Sequence, residues 1–109
     1  MNDVFSLRGK RYLVTGGTRG IGRAISLQFA RSGASVIANY VRDSKAAEAL
    51  AAEASGNGLS IQPLRADLTT PKGMEALLEQ LGDAPLGGLV HCAATGVHRR
   101  LRELTLRHL

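Results

Sequence analysis

Four glycines fall within seven residues, at positions 16, 17, 20 and 22. Gly16 lies where the apolar run at 12–14 must reverse sharply into a helix, and a residue without Cβ meets that need. Gly20 exposes bare backbone at the helix N-terminus, where amide groups and the helix dipole attract phosphate. Gly22 permits close packing of the helix. The stretch 15–22 therefore predicts a pyrophosphate-binding turn, and the alternative is a glycine-rich turn that binds nothing.

The elements around this turn follow from the periodicity of apolar residues. Residues 10–14 are predicted to form a first strand whose last two residues are buried. The helix that follows begins at Gly20 and ends at a C-cap, Gly33, and its apolar face comprises Ile21, Ala24, Ile25 and Phe29. A continuous β-prone run at 34–41 predicts a second strand, of the kind that is buried on both faces of a parallel sheet.

The same alternation of helix and strand continues along the chain. Residues 42–55 are rich in alanine and predict a helix with Ser44 as N-cap. A third strand is expected at 59–65, where Pro63 indicates an edge position or a strand end. The alternation predicts an α/β fold, in which a parallel sheet with right-handed crossovers carries helices on its faces.

A third helix and a fourth strand complete this pattern. Thr70 is the expected N-cap of the helix, Pro71 its first residue and Gly82 its end, and its apolar face comprises Met74, Leu77, Leu78 and Leu81. Residues 86–91 form the fourth strand. Thr105 is expected to cap a fourth helix.

Composition restricts the class of protein. A chain of 109 residues fits one domain, and its core must be aliphatic because 44% of residues are hydrophobic but only 4% aromatic. The single cysteine, Cys92, excludes an internal disulfide and a cysteine-rich metal site and favours a reducing cytoplasm. Neither a signal-peptide pattern nor an apolar run of the roughly 20 residues that span a bilayer occurs, so a soluble protein without a membrane partner is expected.

The net charge of +5 is unevenly distributed. Cationic residues outnumber acidic ones in residues 1–31 and 99–109, whereas residues 32–98 have a net negative charge. Nucleic-acid binding calls for a basic stripe with interleaved aromatic residues, but the aromatic residues here are scattered at mostly apolar positions. The pattern argues against nucleic acid and fits a small ligand that carries phosphate.

Four segments at predicted strand ends together resemble the short-chain dehydrogenase/reductase family. They are the glycine turn T-G-x-x-x-G-I-G and the sequences N-Y-x-R, A-D-L and L-V-H-C-A-A after strands two, three and four. The resemblance covers residues 9–109. It implies a Rossmann-type sheet of strand order 3-2-1-4, with a dinucleotide over the carboxyl ends of the strands, beside strand one.

The resemblance also assigns residues to the cofactor. The glycine turn lies against the pyrophosphate and its neighbouring ribose, with Thr18 able to hydrogen-bond a phosphate oxygen and Thr15 a structural residue. Asp67 matches the acid that accepts a hydrogen bond from the adenine amino group, and otherwise it is a helix-entry residue. The expected cofactor-binding residues are Gly16, Thr18, Arg19, Gly20, Ile21, Gly22, Asn39, Arg42, Asp67, Leu68 and Ala93.

Strand two indicates which dinucleotide is bound. Family members that prefer NAD usually end this strand with an acid for the ribose diol, and Asn39 occupies that place here. A neutral side chain tolerates the 2′-phosphate of NADP, and Arg19 and Arg42 can each present a bidentate guanidinium to it. NADP(H) is therefore expected over NAD(H). The alternative is that both arginines are solvated surface charges, with Asp43 neutralising Arg42.

The segment after strand four departs from the family's usual N-N-A-G. His91-Cys92-Ala93-Ala94 stands there, so a packed Cys92 and a structural His91 are expected, while Ala93 preserves a close backbone approach. The variant A-A-T-G resembles the enoyl-acyl-carrier-protein reductase III branch and implies an acyl-thioester substrate. Three arginines, Arg99, Arg100 and Arg102, are then candidates for steering an acidic acyl carrier protein, and otherwise they are solvated.

The catalytic residues of the family are absent from this sequence. The chemistry needs a tyrosine with a lysine four residues later and a serine, and neither Tyr12 nor Tyr40 has such a lysine. The chain is therefore expected to be the cofactor-binding half of an oxidoreductase, inactive alone, whose homo-oligomeric parent transfers hydride to or from a carbonyl or enoyl substrate. The alternatives are a stand-alone dinucleotide-binding module and an inactive fragment.

Overall fold

The computed structural model describes residues 6–92, in which four strands alternate with three helices. The strands are β1 (Arg11–Thr15), β2 (Ser35–Tyr40), β3 (Ser60–Arg65) and β4 (Gly88–His91), and the helices are α1 (Gly20–Arg31), α2 (Ser44–Gly56) and α3 (Pro71–Leu81). Every predicted element in this range is confirmed, with bounds within two residues of those expected. The helix expected at Thr105 lies outside the described residues.

The strands form one parallel sheet in the order β3-β2-β1-β4, as expected. Pro63 lies on β3, an outer strand among the described residues, which agrees with its lack of a backbone donor. One row across the sheet aligns Leu64, Asn39, Thr15 and His91. Because all four strands run the same way, this row marks the carboxyl edge of the sheet, where the connecting loops converge.

Helices cover both faces of the sheet. Helices α1 and α2 lie on one face, where Val14 and Val36 pack with Ala30, and Leu50 packs with Ala38. Helix α3 lies on the other face, where Leu77 packs against Leu13 and Ile37. Burial of Leu13 and Val14 is confirmed. None of the helices in residues 6–92 is both long and apolar enough to cross a membrane.

The predicted apolar face of α1 is wrong at Ile21 and Ala24. Ile21 has 77% of its surface exposed and Ala24 is exposed as well, whereas Ser26 is fully buried. The hydroxyl of Ser26 donates a hydrogen bond to the Gly17 carbonyl at 3.0 Å, so burial leaves it satisfied. Helix α1 is therefore oriented about its axis so that Gly22 and Ser26, and not Ile21, face the glycine turn.

The termini of the other two helices differ in how well the sequence predicted them. Asp43, not Ser44, is the N-cap of α2, since the Ala46 N–H donates to Asp43 Oδ1 at 2.9 Å. The longer side chain one residue earlier reaches the free amide, and Ser44 becomes the first helical residue. Thr70 caps α3 as expected, accepting from the Gly73 N–H at 3.0 Å.

Helix α3 buries less of its apolar stripe than expected. Leu77 is buried and Leu81 packs against the same hydrophobic cluster. In contrast, Met74 and Leu78 are 41% and 59% exposed. A single described helix covers this face of the sheet, so the flanking side chains have no second helix in residues 6–92 to pack against. At its C-terminus, the guanidinium of Arg11 donates to the carbonyls of Leu81 and Gln80 at 2.7 and 2.9 Å, which joins the helix to β1.

Candidate functional site

The glycine turn connects β1 to α1 through two residues in the left-handed region. Gly16 has φ +63° and Gly20 has φ +58°, backbone conformations that residues with a Cβ rarely adopt. A Cβ built on Gly20 would meet no atom of residues 6–92 within 4 Å, so this described part of the chain does not cover the Gly20 backbone. The conformation of Gly20, and not crowding by the protein, therefore requires glycine there.

Gly22 and Gly17 are required by crowding. A Cβ on Gly22 would overlap the carbonyl oxygen of Gly16, and one on Gly17 would lie 2.7 Å from the carbonyl oxygen of Val14. The Gly17 N–H also donates to the Asn39 carbonyl at 3.0 Å, which ties the turn to β2. Sequence reasoning gave Gly17 no role, although a glycine pair directly after a strand was the available signal.

The N-terminus of α1 has no side-chain cap. Arg19 precedes it with extended backbone and no capping hydrogen bond, and the first turn contains no acidic residue. Helices α2 and α3 are both capped, by Asp43 and Thr70. The free amides and positive dipole end of α1 thus lie at the glycine turn with no side-chain acceptor from the described residues 6–92, an arrangement that favours a bound anion.

Two other residues of the turn differ in accessibility. Thr18 is only 2% exposed, so little of its side chain is accessible to a ligand, and its hydrogen bond to phosphate stays a prediction. Ile21, 77% exposed, extends from the first turn of α1. An exposed apolar side chain beside the glycine turn would suit a ligand that carries an uncharged ring next to its phosphates.

Thr15 joins the ends of β1 and β4. Its hydroxyl lies 2.8 Å from His91 Nδ1, and the Cys92 N–H donates to the Thr15 carbonyl at 3.0 Å. The Thr15 side chain is buried, in agreement with the structural role expected for it. These contacts set the direction in which the chain leaves β4. Ala93, which follows, lies outside the described residues.

Asn39 lies in the same row and is 2% exposed. Its amide nitrogen donates to the carbonyls of Leu64 and Ala66 at 3.3 and 3.0 Å, which joins β2 to the end of β3. A carboxylate cannot donate to these carbonyls. The structure therefore gives its own reason for a neutral side chain at position 39, whereas the sequence argument relied on the 2′-phosphate alone.

Replacement of Asn39 by aspartate is expected to lower the free energy of unfolding by about 2–4 kcal/mol, because a buried carboxylate would face two carbonyl oxygens. Urea denaturation followed by circular dichroism measures this change. Asn57→Asp is the control, since that residue is exposed just after α2 and its amide donates to the Glu53 carbonyl one turn earlier. Equal effects of the two substitutions would show that the Asn39 contacts do not stabilise the sheet edge.

Asp67 lies in the loop between β3 and α3 with its carboxylate exposed. Oδ1 accepts from the Thr69 hydroxyl at 2.6 Å and from the Thr69 N–H at 3.0 Å. These hydrogen bonds, together with the charge of Arg42, hold the pKa of Asp67 below its ordinary value. Asp67 is therefore an ionised acceptor. Thr69 was missed by the sequence analysis, although Asp-x-Thr before a capped helix is a recognisable turn pattern.

The position of Asp67 depends on two residues packed against its loop. A Cβ on Gly73, the third residue of α3, would overlap the Asp67 carbonyl oxygen. The side chain of Leu68 packs into the cluster of Leu13, Ile37 and Leu77. Gly73 was also missed, and it has the same place in α3 that Gly22 has in α1.

The two arginines expected at the site differ in their partners. Arg19 Nη1 lies 3.3 Å from Asp43 Oδ2, with 74% of the Arg19 side chain exposed. Arg42 is exposed and acts on Asp67 only through its charge. The alternative that paired Asp43 with Arg42 is wrong, because Asp43 caps α2 and its second oxygen faces Arg19.

A shallow cavity of about 200 Å³ lies elsewhere, lined by Gly9, Lys10, Arg11, Pro85, Leu86 and Gly87. These residues precede or begin β1 and β4, so the cavity lies at the amino edge of the parallel sheet. The glycine turn and Asp67 lie at the carboxyl edge. The cavity is therefore separate from the candidate site.

Comparison with known proteins agrees with this geometry. Residues 10–108 match the family model described as short chain dehydrogenase. Versicolorin reductase stcU of Emericella nidulans is 38% identical over 79 residues, which cover 72% of this chain and 30% of that protein. The chain thus spans about a third of the length of the curated relatives it matches.

Two solved structures share the fold and contain NADP. The Pseudomonas aeruginosa RhlG/NADP complex has a TM-score of 0.74 and 39% identity, over 87% of this chain and 38% of that one. A 3-oxoacyl (acyl-carrier-protein) reductase from Agrobacterium tumefaciens with NADP bound has a TM-score of 0.78 and 33% identity, over 99% of this chain and 42% of that one.

Proposed function

The chain belongs to the short chain dehydrogenase family, and we propose that it forms the NADP(H)-binding part of an oxidoreductase that acts on a carbonyl or enoyl group. The observation that carries the proposal is that the N-terminus of α1, at the glycine turn, has no side-chain cap, whereas α2 and α3 are both capped. A dinucleotide pyrophosphate fits there because it supplies the acceptors that the free amides lack. No atom of residues 6–92 fills the space next to the Gly20 backbone, which leaves room for it there.

Each residue of the site then has a defined task. The first-turn amides of α1 bind the pyrophosphate, and Ile21 contacts an uncharged part of the cofactor. Ionised Asp67 accepts a hydrogen bond from the adenine amino group, with Leu68 and Ala93 approaching through their backbone. When bound, the nicotinamide supplies or accepts the hydride.

The preference for NADP(H) is part of the proposal. Arg19 and Arg42 are both exposed and follow the carboxyl ends of β1 and β2, so their guanidinium groups lie at the edge where the cofactor binds. The bidentate geometry of a guanidinium suits a phosphate. The NADP bound in two structural relatives supports this preference. Asn39 supports it less than the sequence suggested, because its amide donates to backbone carbonyls of the sheet edge.

Catalysis is assigned to residues outside this sequence. No tyrosine among the 109 residues has a lysine four positions later, so we propose that the chain binds the cofactor without transferring hydride. A small carbonyl compound, or an acyl thioester delivered by an acyl carrier protein, is the substrate proposed for the parent enzyme. Single-turnover assays of the 109-residue chain with NADPH and a panel of such compounds test whether catalysis lies outside it. Hydride transfer by this chain would contradict that assignment.

Arg42→Gln is expected to weaken NADPH binding about tenfold and to leave NADH binding unchanged, because one charge-assisted contact to the 2′-phosphate is lost. Isothermal titration calorimetry of the 109-residue chain measures both affinities. Arg31→Gln is the control, since Arg31 is exposed at the opposite end of α1. Absence of binding of either dinucleotide to the unmodified chain would reject the proposed function, and equal affinity for both would reject the NADP(H) preference.

A further inference from the structure

Asp43 has two different partners for its two carboxylate oxygens. Oδ1 accepts from the Ala46 N–H at 2.9 Å and caps α2, whereas Oδ2 lies 3.3 Å from Arg19 Nη1. The cap holds the carboxylate at the start of α2 whether or not Arg19 is present. Asp43 is therefore a fixed anion beside an arginine of the glycine turn.

Arg19 is the more exposed partner of this pair and, unlike Asp43, has no capping role. It lies directly before α1, and 74% of its side chain is exposed, against 40% for Asp43. Exposed ion pairs are weak because water screens them and because ordering two side chains costs entropy. A stronger anion can therefore draw the guanidinium away from Asp43 at little cost.

A phosphate monoester is such an anion. It offers the same bidentate acceptor geometry to a guanidinium as a carboxylate does, and it carries a larger charge near pH 7. A ligand phosphate that reached Arg19 would therefore compete with the Asp43 carboxylate for one guanidinium. It would also be repelled by that carboxylate.

We propose that Asp43 is a specificity-tuning residue of the dinucleotide site, which lowers the affinity for a 2′-phosphate by competing for Arg19. This inference rests on the proposed function. It assigns Asp43 a task beyond the cap, and it predicts that removal of an ion pair will strengthen binding. Asp43 is a positioning residue here, since it acts through Arg19.

The chain contains a matched control pair between the same two helices. Arg23 Nη2 lies 2.8 Å from Glu53 Oε2, with the two side chains 36% and 38% exposed. Arg23 lies one turn further along α1 than Arg19, and Glu53 lies near the C-terminal end of α2. Glu53→Gln therefore removes one charge and one ion pair, as Asp43→Asn does, but away from the glycine turn.

The test titrates the 109-residue chain with adenosine 2′,5′-bisphosphate and with adenosine 5′-monophosphate by calorimetry. Asp43→Asn retains a good N-cap and is expected to tighten binding of the bisphosphate at least about threefold, with the monophosphate unchanged. Asp43→Ser, which also caps, should give the same result. Glu53→Gln should change neither affinity. Unchanged circular dichroism spectra verify that the variants are folded.

The dependence on Arg19 is tested in the Arg19→Gln background, where Asp43→Asn should lose most of its effect. The inference is overturned if Asp43→Asn leaves the bisphosphate affinity unchanged or weakens it, or if Glu53→Gln raises this affinity equally. The proposed function is still upheld in that case if the wild-type chain binds the bisphosphate more tightly than the monophosphate. A wild-type chain that binds neither the bisphosphate nor NADPH would overturn both.

Discussion

Gly22→Ala is expected to displace the first turn of α1, to lower the free energy of unfolding by about 3 kcal/mol or more and to reduce NADPH affinity more than tenfold. The added methyl would overlap the Gly16 carbonyl oxygen, which belongs to backbone and cannot rotate away as a side chain can. Relief requires the helix to move from the turn, and the free amides of α1 move with it. Urea denaturation and calorimetric titration with NADPH measure the two effects.

Gly56→Ala provides the control for the first prediction. Gly56 is the last residue of α2, and a Cβ there would meet no atom within 4 Å. Alanine should leave stability unchanged or raise it slightly, since it favours the helix over glycine. NADPH affinity similar to wild type in Gly22→Ala would contradict the assignment of the α1 N-terminus to the pyrophosphate.

Gly73→Ala is expected to lower the free energy of unfolding by about 2–3 kcal/mol and to weaken binding of adenosine 5′-monophosphate several-fold. The new Cβ would overlap the Asp67 carbonyl oxygen, so either α3 or the Asp67 loop must move. Because Thr69 orders the Asp67 carboxylate within that loop, its orientation would change as well. Titration is carried out at a temperature where circular dichroism shows the variant to be folded.

Gly82→Ala separates loss of stability from loss of the site in α3. Gly82 follows the helix with φ +58° and ψ −146°, close to a region that is essentially restricted to glycine, and a Cβ there would meet no atom of residues 6–92 within 4 Å, so the substitution should cost about 1–3 kcal/mol of backbone strain. Adenosine monophosphate should bind this variant as tightly as wild type. If both variants bound it normally, Asp67 would not depend on Gly73 for its orientation.

The secondary structure was predictable because its signals are local. Thr70 and Pro71 start α3 and a glycine ends it, through hydrogen bonds and dihedral preferences that involve only neighbouring residues. The strand order followed from the family resemblance, and the parallel register then aligned Thr15, Asn39 and His91. The cap of α2 failed narrowly, since Asp43 and Ser44 are adjacent and both are favoured at N-caps.

Of the candidate site, the sequence predicted which residues lie at the carboxyl edge but not what each side chain contacts. Ile21 was assigned to the apolar face of α1 by the helical period and to the cofactor by the family resemblance. Its exposure contradicts the first assignment, because the rotation of α1 is set by Gly22 and Ser26 against the glycine turn. Asn39 was expected to tolerate the cofactor 2′-phosphate, and pairing of Asp43 with Arg42 was the alternative to phosphate binding by the arginines. In the structure the Asn39 amide donates to two carbonyls at the end of β3. Asp43 caps α2 and pairs with Arg19.

The sequence by itself determined the alternation of strand and helix, the need for glycine at the turn and the family to which the chain belongs, because each depends on local conformation or on motif spacing. Tertiary structure alone decided that Gly22 lies on the Gly16 carbonyl, that Gly73 lies on Asp67 and that Asp43 pairs with Arg19. The first two contacts lie within one βα unit and depend on how closely the helix packs against the loop that precedes it. The third joins the starts of α1 and α2, which belong to separate βα units. Packing of the helices on the sheet sets all three distances, to within a few ångströms that helical periodicity and turn propensity do not specify.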